Sequence, residues 1–242
     1  MDFANKKALV TGAGALGGLG HAIAKIFASG GAEVVIVGRD PERGAEVVAD
    51  VGGNTRFVQA NLVERAYAQR LVDVVGTVDI LVNNAAVIPM GATADQELDT
   101  YEEAFAVNVR APFILIAGLV PKMAANGGGS VVNVSSTASS IGIPGMAVYG
   151  ATKAAVESLT RSWAAEFASS NVRVNAVLPG PMHTSMMISS LGPDAGGFGN
   201  TVPLNRTAHP AEIAEVVAFA ASDRASYVTG AVIAADGGRT AI

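Results

Sequence analysis

The chain has 242 residues, half of them apolar and 15% charged, with a formal net charge of -5 and no cysteine. That apolar content supports a large core and argues against disorder. The absence of cysteine excludes disulfides and thiolate metal sites. No block of Lys or Arg forms the basic stripe that nucleic acid requires.

Short β-branched runs alternate with longer helical patterns. "KALV" (7–10) precedes a helix predicted from about Gly18 to Ser29. "EVVIV" (33–37) leads to "PERGAEVVADV", with Pro41 at the first helical position. "TRFVQA" (55–60) is followed by "ERAYAQRLVDVV", and "DILVN" (79–83) by a long helix over about 98–125. "SVVNVSS" (130–136), a helix over about 148–168 and "VRVNAVLP" (172–179) come next. A Gly- and Met-rich stretch, 182–206, is predicted to be an irregular substrate loop. A helix begun by "HPAEIAEVV" and a strand, "AVIAA" (231–235), close the pattern. The strands are continuously apolar, as expected when helices cover both faces of a sheet. Repeated strand–helix units imply an α/β fold, one doubly wound parallel sheet with right-handed crossovers, and a single domain over 1–242. The opening "MDFANKKALV" has no secretory-signal layout, and the run around "APFILIAGLV" is shorter than a membrane span. The expectation is a cytoplasmic protein with no membrane or nucleic-acid partner.

"TGAGALGGLG" (11–20) is a glycine-rich turn between the first strand and the first helix. Such turns cradle phosphates at a helix N-terminus. Two registers compete. Gly12, Gly14 and Gly17 spell G-x-G-x-x-G, whereas Gly18 and Gly20 provide a G-x-G ending. Counting back from "GGAEVVIV" starts the helix near Gly18–Gly20, so Gly12, Gly18 and Gly20 are the favoured set, with a bulge over 13–17 that tolerates change. In the other register Gly18 and Gly20 would each weaken a helix interior by about 1 kcal/mol relative to Ala.

Downstream lie "NNAA" (83–86), Asn108 in "VNVRAPF", Ser136 ending "VVNVSS", "YGATK" with Tyr149 and Lys153, and "LPGPMHT" (178–184). Singly, each has a plain structural explanation. Together, in this order, they resemble the short-chain dehydrogenase/reductase family, and the overall look is similar to its 3-oxoacyl-carrier-protein reductases. The family's loop reads T-G-x-x-x-G-x-G, and here it is two residues longer. The resemblance implies a Rossmann-type fold and hydride transfer with a nicotinamide cofactor. It implies Ser136, Tyr149, Lys153 and Asn108 as the catalytic set. It places cofactor contacts at Gly12, Gly18, Gly20, Asn61, Leu62, Asn84, Ala85, Tyr149 and Lys153, and at Pro179, Gly180, Met182 and Thr184. It also implies that Lys153 binds the ribose, that Asn108 holds a relay water, and that the helices over 98–125 and 148–168 pair in a homotetramer. Their surplus of apolar faces, with Phe105, Val109, Phe113 and Leu115 on one and Val156, Leu159, Trp163 and Phe167 on the other, fits that pairing.

The chemistry accounts for the spacing. Tyr149 and Lys153 are four apart on a helix, hence neighbours on one face. The ammonium beside the phenol, together with the positive charge of an oxidised nicotinamide, favours the phenolate, and moving a tyrosine from a pKa of about 10 to about 7 takes roughly 4 kcal/mol. Tyr149 would then exchange a proton with the substrate oxygen while Ser136 holds that oxygen. At the end of the second strand, where NAD-using relatives carry an acid, stands Gly38, followed by Arg39. Gly38 leaves room for a 2′-phosphate and Arg39 can bind it, so NADP(H) is favoured and NAD(H) is the alternative. Asp40 is expected to cap the next helix. Val87, Ile88, Met90, Ile143, Met146, Met186 and Met187 should line an apolar pocket, for a ketone or secondary alcohol with a hydrophobic body. A carrier-protein substrate is the alternative. It is weakened by the cation-poor segments "AANGGGS" (124–130) and "ASSN" (168–171). A non-catalytic nucleotide sensor is a third reading, opposed by the intact Ser–Tyr–Lys set. His21, His183 and His209 show no ligand spacing, so no metal is expected.

Overall fold

A computed structural model describes residues 1–193 and 195–242, apart from the side chains of Met186, Ser190, Leu191 and Ala195. The strands are β1 (Lys7–Thr11), β2 (Glu33–Gly38), β3 (Thr55–Gln59), β4 (Ile80–Asn83), β5 (Gly129–Val134), β6 (Val172–Pro179) and β7 (Val232–Ala235). The helices are α1 (Leu19–Ser29), α2 (Pro41–Val51), α3 (Arg65–Val75), α4 (Leu98–Phe105), α5 (Ala111–Ala125), α6 (Ala147–Phe167), α7 (Ser185–Leu191) and α8 (Pro210–Ala221).

The strands form one parallel sheet in the order β3-β2-β1-β4-β5-β6-β7. Leu9 pairs with Val35 on one side and with Leu81 on the other. Successive residues alternate between faces. Val10 and Ile36 pack with Ile23 and Phe27 of α1 and Val217 of α8, whereas Leu9 and Val35 pack with Leu71 of α3 and Leu115 and Leu119 of α5. Both faces are therefore buried, which is why the strands read as unbroken apolar runs. The chain order reverses between β1 and β4, and the crevice at the carboxyl ends of these strands is where ligands bind in such sheets.

The predicted long helix is continuous but not regular. Residues Ala106–Arg110 form a π turn between α4 and α5, closed by the Ala111 N–H on the Ala106 carbonyl. The span Leu98–Ala125 is 28 residues, with a mean hydropathy of 1.7 over its most apolar stretch. Length and composition thus match a membrane span, contrary to the expectation from the shorter apolar run alone. More than half of that stretch is buried inside the fold, packed against α3 and the sheet. Leu115, Val156 and Trp163, expected among the pairing faces, lie in the core. Phe113, Leu98 and Tyr101 remain exposed along α4 and α5.

The stretch 182–206 is more ordered than its composition suggests. Thr184 caps α7, its hydroxyl accepting from the Met187 N–H at 3.2 Å, and 3₁₀ turns lie within Ala195–Thr201, interrupted by left-handed Gly196 and Gly197.

Candidate active site

At the switch point lies a cleft of about 860 Å³, lined from β1, β2, β4, β5 and β6 and the segments that follow them. Its floor is the glycine loop. Gly12 has φ +67°, and a Cβ there would stand 2.6 Å from the Ala85 Cα, so only glycine fits. Gly18 is the N-cap of α1 and has no side chain to occupy the first-turn N–H groups, which leaves them free for an anion. A Cβ on Gly20 would stand 2.6 Å from the Gly12 carbonyl oxygen, so Gly20 lets α1 close onto the loop and does not itself line the cleft. Helix start and N-cap thus follow the Gly12–Gly18–Gly20 register.

The bulge over 13–17 is not the adaptable excursion the sequence suggests. A Cβ on Gly14 would lie 3.0 Å from the Gly38 Cα, so the loop rests on the end of β2. Gly17 has φ +71°, and its N–H donates to His21 Nδ1 at 3.2 Å. Ser185, the first residue of α7, donates from its hydroxyl to the Leu16 carbonyl at 3.2 Å. The extra length is used to reach α7.

"NNAA" fastens β4 to this loop. Asn84 Nδ2 donates to the carbonyls of Thr11 and Gly12 at 2.8 and 3.0 Å. The Thr11 hydroxyl accepts from the N–H groups of Asn84 and Ala85 at 3.0 and 3.1 Å. At the β2 end, Gly38, Arg39 and Arg43 line the cleft together. Asp40 caps α2 as expected, Oδ1 accepting from Glu42 N–H at 2.9 Å. Sequence reasoning missed Arg43, although its place four residues after Arg39 on the first turn of α2 was a usable signal. Asn61 and Leu62 also line the cleft, with Asn61 Oδ1 accepting from the Val63 N–H at 3.3 Å. Pro179, Met182 and Thr184 complete one wall. Gly180 stands behind it, where a Cβ would meet the Asp236 Cα at 2.8 Å.

Tyr149 and Lys153 of α6 face the cleft and are both buried. Burial pushes the Tyr149 hydroxyl up to about 12, against a smaller downward pull from the neighbouring Ser136 hydroxyl. Burial lowers Lys153 to about 8. Its Nζ donates to the Val134 carbonyl at 2.8 Å and stands 5.6 Å from the Tyr149 ring centroid. The expected lowering of Tyr149 is thus absent in the protein alone, because desolvation outweighs the opposing contributions. Ser136 lies just beyond β5 on the short turn 135–140, and its Oγ accepts from the Ala138 N–H at 3.2 Å.

Asn108 sits in the π turn, fully buried behind the site. Its Oδ1 accepts from the Val87 N–H at 2.8 Å, and its Nδ2 donates to the Val87 carbonyl at 2.8 Å and to Thr152 Oγ1 at 3.0 Å. Both amide protons are therefore committed, and the side chain has none left to donate to a relay water. Val87 and Ile88 line the cleft. Met90 is exposed, and Ile143, Met146 and Met187 are half-buried outside the cleft walls. The Met186 side chain lies outside the described residues. His21 bonds Asp50 at 2.7 Å, and His209 caps α8.

A switch-point cleft, a glycine loop under a helix N-terminus and a buried Tyr–Lys pair define a Rossmann-type oxidoreductase. The family model described as "Enoyl-(Acyl carrier protein) reductase" matches residues 12–240. The chain is 35% identical to the 3-oxoacyl-[acyl-carrier-protein] reductase FabG of Thermotoga maritima, over 98% of this chain and 99% of that one. It is 36% identical to the cis-4-hydroxycyclohexanecarboxylate dehydrogenase of Sinomonas cyclohexanicum, over 99% and 98%. A solved short chain dehydrogenase/reductase family protein superposes with a TM-score of 0.94 at 47% identity, covering all of both chains. A Beutenbergia cavernae structure, provisionally assigned as an NAD(P)-dependent gluconate 5-dehydrogenase and holding NADP at low occupancy, gives 0.92 at 36%, over 100% of this chain and 99% of that one. The chain belongs to the short-chain dehydrogenase/reductase family and is a nicotinamide-dependent oxidoreductase acting on CH–OH or C=O groups.

Proposed function

We propose that the protein transfers hydride between NADP(H) and a ketone or secondary alcohol with an apolar body, using Ser136, Tyr149 and Lys153. The observation that carries this reading is the buried Tyr149 hydroxyl, with Ser136 beside it and Lys153 one helical turn away, at the wall of a cleft floored by the glycine loop. The residues present fit a dinucleotide. Gly12 lets the loop pack on Ala85, and Gly18 leaves open space before the first-turn N–H groups of α1, which would hold the pyrophosphate. The room beside Gly38 is taken up by Gly14 and Phe57, so the preference rests on Arg39 and Arg43, which line the cleft there and whose two guanidinium groups favour a 2′-phosphate over a bare hydroxyl.

The nicotinamide, when bound, supplies or accepts the hydride. Tyr149, held protonated near neutral pH by its burial, donates its proton to the nascent alkoxide in the reducing direction. Ser136 donates a hydrogen bond to the same oxygen and orients it. Lys153, cationic below about 8, favours the phenolate left behind. Asn108 fixes the Val87 segment at the cleft and Thr152 on α6. Val87, Ile88, Leu16 and Met182 give the cleft an apolar character suited to a hydrophobic substrate. The Sinomonas relative's named substrate, a hydroxyl on a saturated ring that also bears a carboxylate, supports a secondary alcohol as the reacting group. A carrier-protein thioester is the second reading, favoured by the Thermotoga relative's name and opposed by the cation-poor helix ends. We further infer one domain in the cytoplasm, assembled as a homotetramer through the exposed apolar strip of α4 and α5.

The test is a panel of cyclic, aryl and aliphatic ketones, their alcohols and a 3-oxoacyl thioester, assayed with NADPH and NADH by nicotinamide absorbance. Turnover of apolar ketones with NADPH preferred is expected. No turnover of any member would overturn the reading.

A further inference from the structure

Ser136 does not sit in the sheet. Beyond the Ser135 N–H, which donates to the Val177 carbonyl at 2.7 Å, the turn 135–140 has mainly local backbone bonds, such as Ser139 N–H to the Ser136 carbonyl at 3.0 Å. Because Ser136 Oγ also accepts from Ala138 N–H within that turn, any shift of the turn moves the Ser136 hydroxyl directly. Something outside the turn must hold it, and α6 does so at three places. The first is at Tyr149, whose hydroxyl lies beside the Ser136 side chain. The second is Gly150, whose missing side chain lets the Ala138 carbonyl rest against the helix. The third is Glu157.

Glu157 lies two helical turns after Tyr149 and one after Lys153, on the same side of α6. One carboxylate oxygen, Oε1, accepts from the hydroxyls of both Ser135 and Ser139. The Ser139 Oγ is also 2.6 Å from the Ser136 carbonyl oxygen, so its single proton serves either acceptor while the carboxylate stays seated on the turn. Among the described residues Glu157 forms no salt bridge. A half-buried carboxylate with no cation is held by its hydrogen bonds, and here they all go to this turn.

We propose that Glu157 is a positioning residue that clamps the Ser136-bearing turn to α6 and so sets the spacing between the Ser136 and Tyr149 hydroxyls. This rests on the proposed roles of Ser136 and Tyr149. The experiment measures kcat for the best panel substrate, and the NADPH dissociation constant, for Glu157→Ala, Glu157→Gln, Ser136→Ala and the Glu157→Ala/Ser136→Ala double variant. A small misplacement of a reacting group is costly, so Glu157→Ala should lower kcat by about 10-fold or more. Its NADPH affinity should stay within about twofold, since no cofactor contact is touched. Glu157→Gln keeps a carbonyl acceptor for the two serines and should stay near wild type. In the Ser136→Ala background the Glu157→Ala loss should shrink to less than about twofold, because Glu157 acts through Ser136. Full additivity, or a glutamine variant as impaired as alanine, would overturn the clamp alone. Wild-type turnover in folded Ser136→Ala, or no turnover by the wild type across the panel, would remove the underlying reading and the clamp with it. If Glu157→Ala does not fold, Ser139→Ala replaces it with the same expected pattern.

Discussion

Gly18→Ala separates cofactor binding from folding in the glycine loop. Gly18 has φ −94° and ψ 168°, an extended conformation that alanine adopts freely. The nearest atom to an added Cβ is the Ala15 carbonyl oxygen, at 3.6 Å, an ordinary contact. The fold should therefore change by no more than about 0.5 kcal/mol. The methyl would stand instead in front of the α1 N–H groups, where the pyrophosphate is proposed to lie. We expect the NADPH dissociation constant to rise at least tenfold, a loss of about 1.4 kcal/mol. Gly20→Ala is the counterpart. Its Cβ would lie 2.6 Å from the Gly12 carbonyl oxygen, 2.7 Å from Asn84 Nδ2 and 2.8 Å from the Ala13 Cα. Overpacking against backbone costs about 1–3 kcal/mol, and each kcal/mol lowers Tm by about 2–4 °C in a chain of this size. Thermal unfolding and NADPH fluorescence titration read the two effects. Equal loss of Tm in both variants, or unchanged NADPH affinity in Gly18→Ala, would refute the reasoning.

Arg39→Ala should weaken NADPH far more than NADH, by about 1.5–3 kcal/mol for a lost charge-assisted contact, with Arg43→Ala acting in the same direction. Equal losses for both cofactors in a titration would remove these arginines as selectors. Burial holds Lys153 at about 8 against 10.5, so the unfolded chain binds the extra proton between those values and stability rises with pH there. Tyr149, pushed from 10.0 to about 12, works in the opposite sense above pH 10, which leaves pH 8–10 as the clean window. Urea midpoints should therefore climb over that window in the wild type relative to Lys153→Met, and parallel curves would contradict the burial of a titrating Lys153. Light scattering at micromolar concentration should give a tetramer, with a dimer as the alternative, and a monomer would contradict both and the role given to the exposed strip of Phe113, Leu98 and Tyr101.

The sheet was legible because its strands are buried on both faces. "KALV", "EVVIV" and "ILVN" carry no polar alternation that could be mistaken for an edge. The Tyr149–Lys153 pair was legible because helical spacing alone makes the two neighbours. The π turn was not, since its traces, Asn108 and the nearby Pro112 in an apolar helix, are ones the sequence cannot distinguish from a cap or a simple kink. The bulge was misjudged because its contacts are distant in sequence. Gly14 rests on Gly38, and Leu16 holds Ser185, 169 residues away. Nothing in the sequence marks Glu157, and only the fold brings it onto Ser135 and Ser139. The raised Tyr149 in the protein alone was not legible, because spacing reveals a neighbouring cation but not the burial of the phenol.

The central claim is that Tyr149 exchanges the proton with the substrate oxygen. Tyr149→Phe keeps the ring and removes only the hydroxyl. The most direct measurement is kcat of this variant with the best panel substrate, alongside its Tm and NADPH dissociation constant. Both of the latter should stay near wild type, while kcat should fall by at least ~100-fold, the scale of a lost general acid. A folded variant that binds NADPH and keeps kcat within a few-fold of wild type would contradict the account.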